Sequence, residues 1–281
     1  MILRNHTRIY SLVIFIGLLL MPLSINAQKS ELSTDFHKKR RQELRQKLPS
    51  NSVAVYFSAP VRNRANDVDF EYHPDPNFYY LTGWMEPHAV LLVYSAPQTD
   101  SKGVYYEKIY VRDRDARNEI WNGRQLGVEG AQKMDFERVS SKTEFSQEQK
   151  DFSDFDTVLI FDFKNDVRDN KSDTSDLFDL QKEFKNAINY PDNFDAERYR
   201  LYQRIRTVTE SEVTYLKRRI SYMMEEDTTL MEDPVIQDFM KVGEDMFLTD
   251  LKTRSTFLLR DYNFDIDQLN YFMASLREKK T

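Results

Sequence analysis

The 281-residue chain contains no cysteine. Disulfide staples and a thiol nucleophile are therefore excluded, and stability has to come from a packed core. Histidine is nearly as scarce: beyond His6 only His37, His73 and His88 occur, and none lies after position 88. A Ser-His-Asp set would have to recruit one of these early histidines, and no Gly-x-Ser-x-Gly elbow is present. His73 adjoins Pro74 and His88 follows Pro87, so both read as surface turns. Glycine is sparse too. Gly123, Gly127 and Gly130 are not spaced as Gly-x-Gly-x-x-Gly and no Lys-Ser/Thr follows them, which leaves turn duty rather than phosphate binding. Charge of one sign is never concentrated, and the formal net charge of -6 is spread over mixed residues. Nucleic acid is thereby a poor partner, since phosphate binding needs positive charge gathered on one face. The densest basic run, His37-Lys38-Lys39-Arg40-Arg41, is followed at helical spacing by Leu44 and Leu48 and reads as a solvated helix face.

One long apolar run stands out, at residues 11–25, preceded by Arg4 and Arg8 and followed by Asn26, Ala27 and polar sequence. Residues 1–27 read as a signal peptide cleaved near Ala27, which makes the protein exported, periplasmic or secreted. The alternative is an uncleaved anchor, for which the run is short against the roughly 20 apolar residues a bilayer wants, and Pro22 interrupts it.

Ser33 or Thr34 caps a predicted helix to about Lys47, with Phe36, Leu44 and Leu48 as its buried stripe. Ser52-Val53-Ala54-Val55-Tyr56-Phe57 is a nearly continuous apolar run between turn formers, as expected of a strand buried on both faces. His88 to Tyr94, Lys108 to Val111 and Asp156 to Phe161 repeat the pattern, and helix-compatible stretches lie between them at 118–122, 127–134 and 173–185. Alternating strands and helices predict an α/β layer fold. From Asp195 onward Gly and Pro nearly vanish and charged-apolar periodic runs take over, with Val213, Leu216, Ile220 and Met224 on one face and a break at Pro234. Residues 195–281 are therefore expected to form a linker helix and a helical tail.

The run Asn77-Phe78-Tyr79-Tyr80-Leu81-Thr82-Gly83, after Pro74-Asp75-Pro76, is followed at compatible spacing by Glu119-Ile120-Trp121-Asn122-Gly123-Arg124-Gln125-Leu126-Gly127. Together they resemble the N-terminal domain of the Xaa-Pro aminopeptidase (aminopeptidase P) family, over about Phe36 to Leu216. The resemblance implies an α/β domain at 28–194 whose mixed β-sheet is flanked by helices, of aminopeptidase P/creatinase N-terminal type. It also implies a substrate-side contact for Trp121, near the active-site mouth, with Asp113, Asp115, Glu119 and Arg124 beside it. Read from residue type alone, Trp121 is equally well accounted for by packing under a turn.

In that family, catalysis is the work of a separate pita-bread metallopeptidase domain holding two manganese ions through two Asp, one His and two Glu. With no histidine after His88, the resemblance implies a chain that is catalytically incomplete alone, with no cofactor and no metal site of its own. The acidic pairs Asp162/Asp166, Asp173/Asp176 and Glu225/Glu226 read as solvated surface. The expected partners are a second copy, a complete aminopeptidase, or a peptide with proline at its second position. Two other readings stay open: a non-catalytic oligomerisation or interaction module, and a truncated remnant of a full-length aminopeptidase.

Overall fold

The computed structural model describes residues 32–66, 68–147, 152–171, 173–243, 246–259 and 263–278. The proposed signal peptide, 1–27, lies outside them. Among the described residues no helix is long and apolar enough to cross a membrane.

The first helix, α1 (Thr34–Lys47), starts where Ser33 Oγ accepts a hydrogen bond from the Phe36 amide. After the turn at 49–51 the chain enters β1 (Ser52–Phe57). A short hairpin of β2 (Asn63–Ala65) and β3 (Val68–Asp69) leads to α2 (Pro76–Thr82). Local chemistry bounds α2 at both ends. Asp75 accepts from the Asn77 and Phe78 amides, Pro76 opens the first turn, and Gly83 closes the last at φ 67°. A Cβ on Gly83 would meet the His37 ring at 2.7 Å, so glycine there satisfies both the backbone and the packing.

Strands β4 (Val90–Asp100) and β5 (Gly103–Val111) form a long antiparallel hairpin, followed by helices α3 (Ala116–Asn122) and α4 (Gly127–Ala131). Next come β6 (Val139–Ser141), α5 (Lys142–Gln147), β7 (Thr157–Leu159) and α6 (Leu177–Ala187). The C-terminal region holds α7 (Ala196–Thr207), α8 (Val213–Glu226), α9 (Pro234–Lys241), α10 (Leu248–Leu259), β8 (Phe264–Asp265) and α11 (Gln268–Glu278). Pro234 stands at the start of α9, where its missing amide hydrogen costs nothing.

Six strands pair in the order β6-β5-β4-β1-β7-β8. The β5/β4 and β4/β1 contacts are antiparallel, whereas β6/β5, β1/β7 and β7/β8 are parallel, giving the expected mixed sheet flanked by helices. Strand alternation sorts the core into two layers. Ala54, Tyr56, Leu91, Val93 and Ile109 pack under α1, α2 and α11, while Val53, Val55, Val90, Leu92 and Val158 face Leu180 and Phe184 of α6. A third cluster joins α7 to α10 through Leu201, Ile205, Leu216, Ile220, Ile236, Phe239 and Leu251.

Two expectations need correction. The tail is helical except at β8, which pairs in parallel with β7 and becomes the edge of the main sheet. Helix α11 then places Leu269, Met273 and Leu276 in the same core as Leu44 and Phe78. The basic run on α1 is not wholly solvated either. His37 is 2% and Arg41 0% exposed, because Arg41 Nε donates to Glu107 Oε1 at 2.7 Å and its other nitrogens reach the carbonyls of Leu81 and Asp135. An isolated helical pattern could not disclose an acidic partner on β5.

Candidate functional site at the sheet edge

Because β1 and β7 are parallel and β4 enters beside them in reverse, one edge of the sheet gathers the ends of β1, β5 and β7 and the start of β4. Helix α3, which carries Trp121, emerges from this edge just after β5.

The frame under Trp121 is tightly tied. Arg114 Nε and Nη2 each donate to Glu119 at 2.8 Å, a two-pronged pair, and Glu119 Oε1 also accepts from the Gln125 amide at 3.1 Å. These donors hold the Glu119 carboxyl well down, at about 2, the Arg114 hydrogen bonds first among them. Glu86 secures the far side, accepting from the Leu126 amide at 2.7 Å and from Arg112 Nε at 3.0 Å. Gly127, at φ 62°, lets Arg114 pass where a Cβ would lie 2.5 Å from its Cγ. On this base Trp121 projects outward, 87% exposed, next to Ile120 at 76%. Packing under a turn, the alternative reading of Trp121, is thus excluded by its exposure, whereas Trp84 is fully buried.

Glu119 therefore braces the helix rather than standing free beside the indole. Asp115 caps α3 by accepting from the Arg117 amide at 2.9 Å, and Asp113 accepts from Ser141 Oγ. Arg124 is exposed.

Beside this frame lies a cavity of about 980 Å³, lined among others by Tyr72, His88, Arg112, Asp115, Asp173 and Asp176. His88 is a correction to the surface-turn reading: its side chain is only 15% exposed and its backbone holds φ 58°. Its Nδ1 accepts from the Leu177 amide at 3.0 Å, so the neutral ring carries its hydrogen on Nε2, 3.7 Å from Asp173. Asp173 in turn takes a 2.5 Å hydrogen bond from Lys142, and Asp176 is buried as the cap of α6. The pair Asp173/Asp176 is thus structural rather than a solvated surface. His73 is exposed, as expected.

Burial, reinforced by the Lys142 and Arg112 charges and opposed by Asp173 and Asp176, pushes the His88 imidazole down to about 4. Unfolded, it titrates near 6.5. The folded chain thus binds fewer protons than the unfolded chain between these values, and stability present above about pH 6.5 is lost as pH falls towards 4. The expected loss is roughly 3 kcal/mol at most. Denaturant titrations across this window should show the slope in the native protein and a flattened one in His88→Asn, whose amide oxygen can still accept from Leu177. Equal slopes in both would remove His88 as its source.

Among the described residues no group of three or more His, Asp or Glu is placed to hold a metal ion.

Comparison with known proteins finds similarity over part of the chain. Residues 37–159 match the family model "Aminopeptidase P, N-terminal domain". The Xaa-Pro aminopeptidase of Escherichia coli (strain K12) is 33% identical over 120 residues, which is 42% of this chain and 26% of that protein. Intermediate cleaving peptidase 55 of Schizosaccharomyces pombe is 38% identical over 96 residues, 34% of this chain and 19% of that protein. The chain therefore spans about a quarter or less of these two relatives' lengths. Among solved structures, aminopeptidase P from E. coli with the inhibitor Pro-Leu aligns with TM-score 0.45 and 26% identity over 57% of this chain and 34% of that one. Proline aminopeptidase P II from Yersinia pestis aligns over 82% and 50%, with TM-score 0.44 and 22% identity.

Proposed function

From a segment, residues 37–159, that is similar to the aminopeptidase P N-terminal domain, we propose that this protein serves the substrate side of an Xaa-Pro aminopeptidase type of site and leaves the metal chemistry to another domain. The observation that carries the reading is Trp121, almost fully exposed on a helix braced by Arg114, Glu119 and Glu86. A rigid exposed indole offers a flat apolar face on which a pyrrolidine ring can pack at little entropic cost. The polar groups around α3 would orient the peptide. The partner is a metallopeptidase domain, on a second polypeptide or in a complete aminopeptidase, and self-association is the other arrangement compatible with this role. Against a non-functional remnant stands the packing of the described residues between 195 and 278, which fill a core of their own and part of another.

The chain has two tryptophans, and Trp84 is buried, so a change in emission at the protein surface reports Trp121. A short peptide with a free amino terminus and proline second should shift that emission saturably, and Trp121→Ala should abolish the response while leaving the thermal midpoint nearly unchanged. The purified chain with manganese should release no N-terminal residue from the same peptide. Chelator-sensitive turnover that follows the amount of protein would overturn the division of labour, and an unchanged emission would overturn the site.

A further inference from the structure

Strands β1 and β7 lie side by side and parallel, but the chain leaves them in opposite directions. From β1 it runs through α2, on one face of the sheet, to β4; from β7 it runs through α6, on the other face, towards β8. Such a reversal leaves a crevice outside the carboxyl ends of the two strands, the place where open α/β sheets bind ligands. A cavity of about 280 Å³ occupies this position. Pro60 also lines two larger neighbouring cavities.

The lining has three chemical parts. Phe57 and Phe163, whose ring centroids are 5.9 Å apart, and Phe161 form an aromatic wall. Gln181 of α6 and Asn270 of α11 supply amides from opposite layers. One lysine, Lys164, and two carboxylates, Asp75 and Asp162, complete it. Lys164 lies 3.7 Å from Asp75, and Asp162 lies 3.7 Å from Arg200, both too long for hydrogen bonds and both between side chains more than a fifth exposed. Loose pairs of this kind contribute little and give way readily to a ligand.

We propose that this crevice is a binding site for a small zwitterion of amino-acid or dipeptide type with an apolar side chain. The side chain packs on Phe57, Phe161 and Phe163, the ligand's carboxylate meets Lys164, and its ammonium group meets Asp162. The volume admits a molecule of this size and little more. A polyanion is disfavoured because Asp162 and Asp75 flank the single lysine, and a wholly apolar ligand would leave the amides and the charges without partners. The site is separate from Trp121 and does not depend on its role.

Isothermal titration of the full chain with L-phenylalanine and with L-leucyl-L-alanine tests it, beside the N-acetyl and C-amide forms of each. Saturable binding is expected, weakened about tenfold or more by blocking either end of the ligand, and equally by Lys164→Met or Asp162→Asn. Both substitutions fall on partly exposed side chains, and an unchanged thermal midpoint certifies that each variant is folded. Trp121→Ala should leave this binding unchanged, which separates the crevice from the proposed peptide contact. No saturation up to the ligands' solubility, or binding indifferent to both substitutions, would overturn the assignment.

Discussion

Deleting residues 263–281 is expected to unfold the α/β body rather than trim an appendage. The segment contributes Phe264, Ile266, Leu269, Met273 and Leu276, all essentially buried. Truncating even one such side chain in a core costs roughly 2–5 kcal/mol, so losing five exceeds or matches the whole stability of a typical domain, about 5–15 kcal/mol. Polar contacts go with them. Tyr80 Oη donates to the Leu276 carbonyl at 3.2 Å and Tyr199 Oη to the Phe264 carbonyl at 3.0 Å, and both hydroxyls would lose these acceptors. Strand β7 would become a bare edge open to pairing with other chains. Near-ultraviolet dichroism and dispersed amide resonances should collapse in the shortened chain. Cooperative unfolding at the native midpoint would show that β8 and α11 are dispensable.

The second large effect is expected at Arg41. This guanidinium is fully buried, lies over the Phe136 ring at 4.3 Å, and satisfies Glu107 and the carbonyls of Leu81 and Asp135 together. Burial pushes the Glu107 carboxyl up and Arg41 opposes it. Arg41→Ala would strand Glu107, whose side chain is 6% exposed, and leave both carbonyls short of a donor. Breaking a buried pair from one side costs roughly 3–5 kcal/mol, well above a surface ion pair at about 1 kcal/mol or less. Urea denaturation should record that loss. Pairing Arg41→Met with Glu107→Leu should recover part of it, since two apolar side chains avoid the stranded charge while the carbonyls remain unserved. A loss below about 1 kcal/mol for Arg41→Ala would demote the network to an incidental contact.

Much of the architecture was legible in the sequence because its causes are local. The apolar run at Ser52–Phe57 specifies a strand with both faces covered, and the cap at Ser33 bounds the start of α1 within a few residues of chain. The two ordered motifs around Tyr80 and Trp121 pointed to the family whose model residues 37–159 match. That no histidine follows His88 is likewise a property of the sequence alone.

Other features depend on which distant groups meet, and periodicity carries no such information. Arg41 has the same spacing as a solvated basic residue, and it is Glu107, 66 positions away, with the carbonyls of Leu81 and Asp135, that makes its burial tolerable. His88 looks like a turn residue until α6 supplies the Leu177 amide, 89 positions on. Phe264 and Asp265 are too few to announce a strand, and it is pairing with Val158 and Leu159 that makes them one. Whether Trp121 is core or surface was equally undecided by residue type; the bracing of α3 by Arg114 and Glu86 turned it outward. Composition and local pattern thus set the elements and the resemblance, while the order of strands, set by long-range pairing and burial, decided which polar side chains were buried and where the sheet edge opens into a crevice.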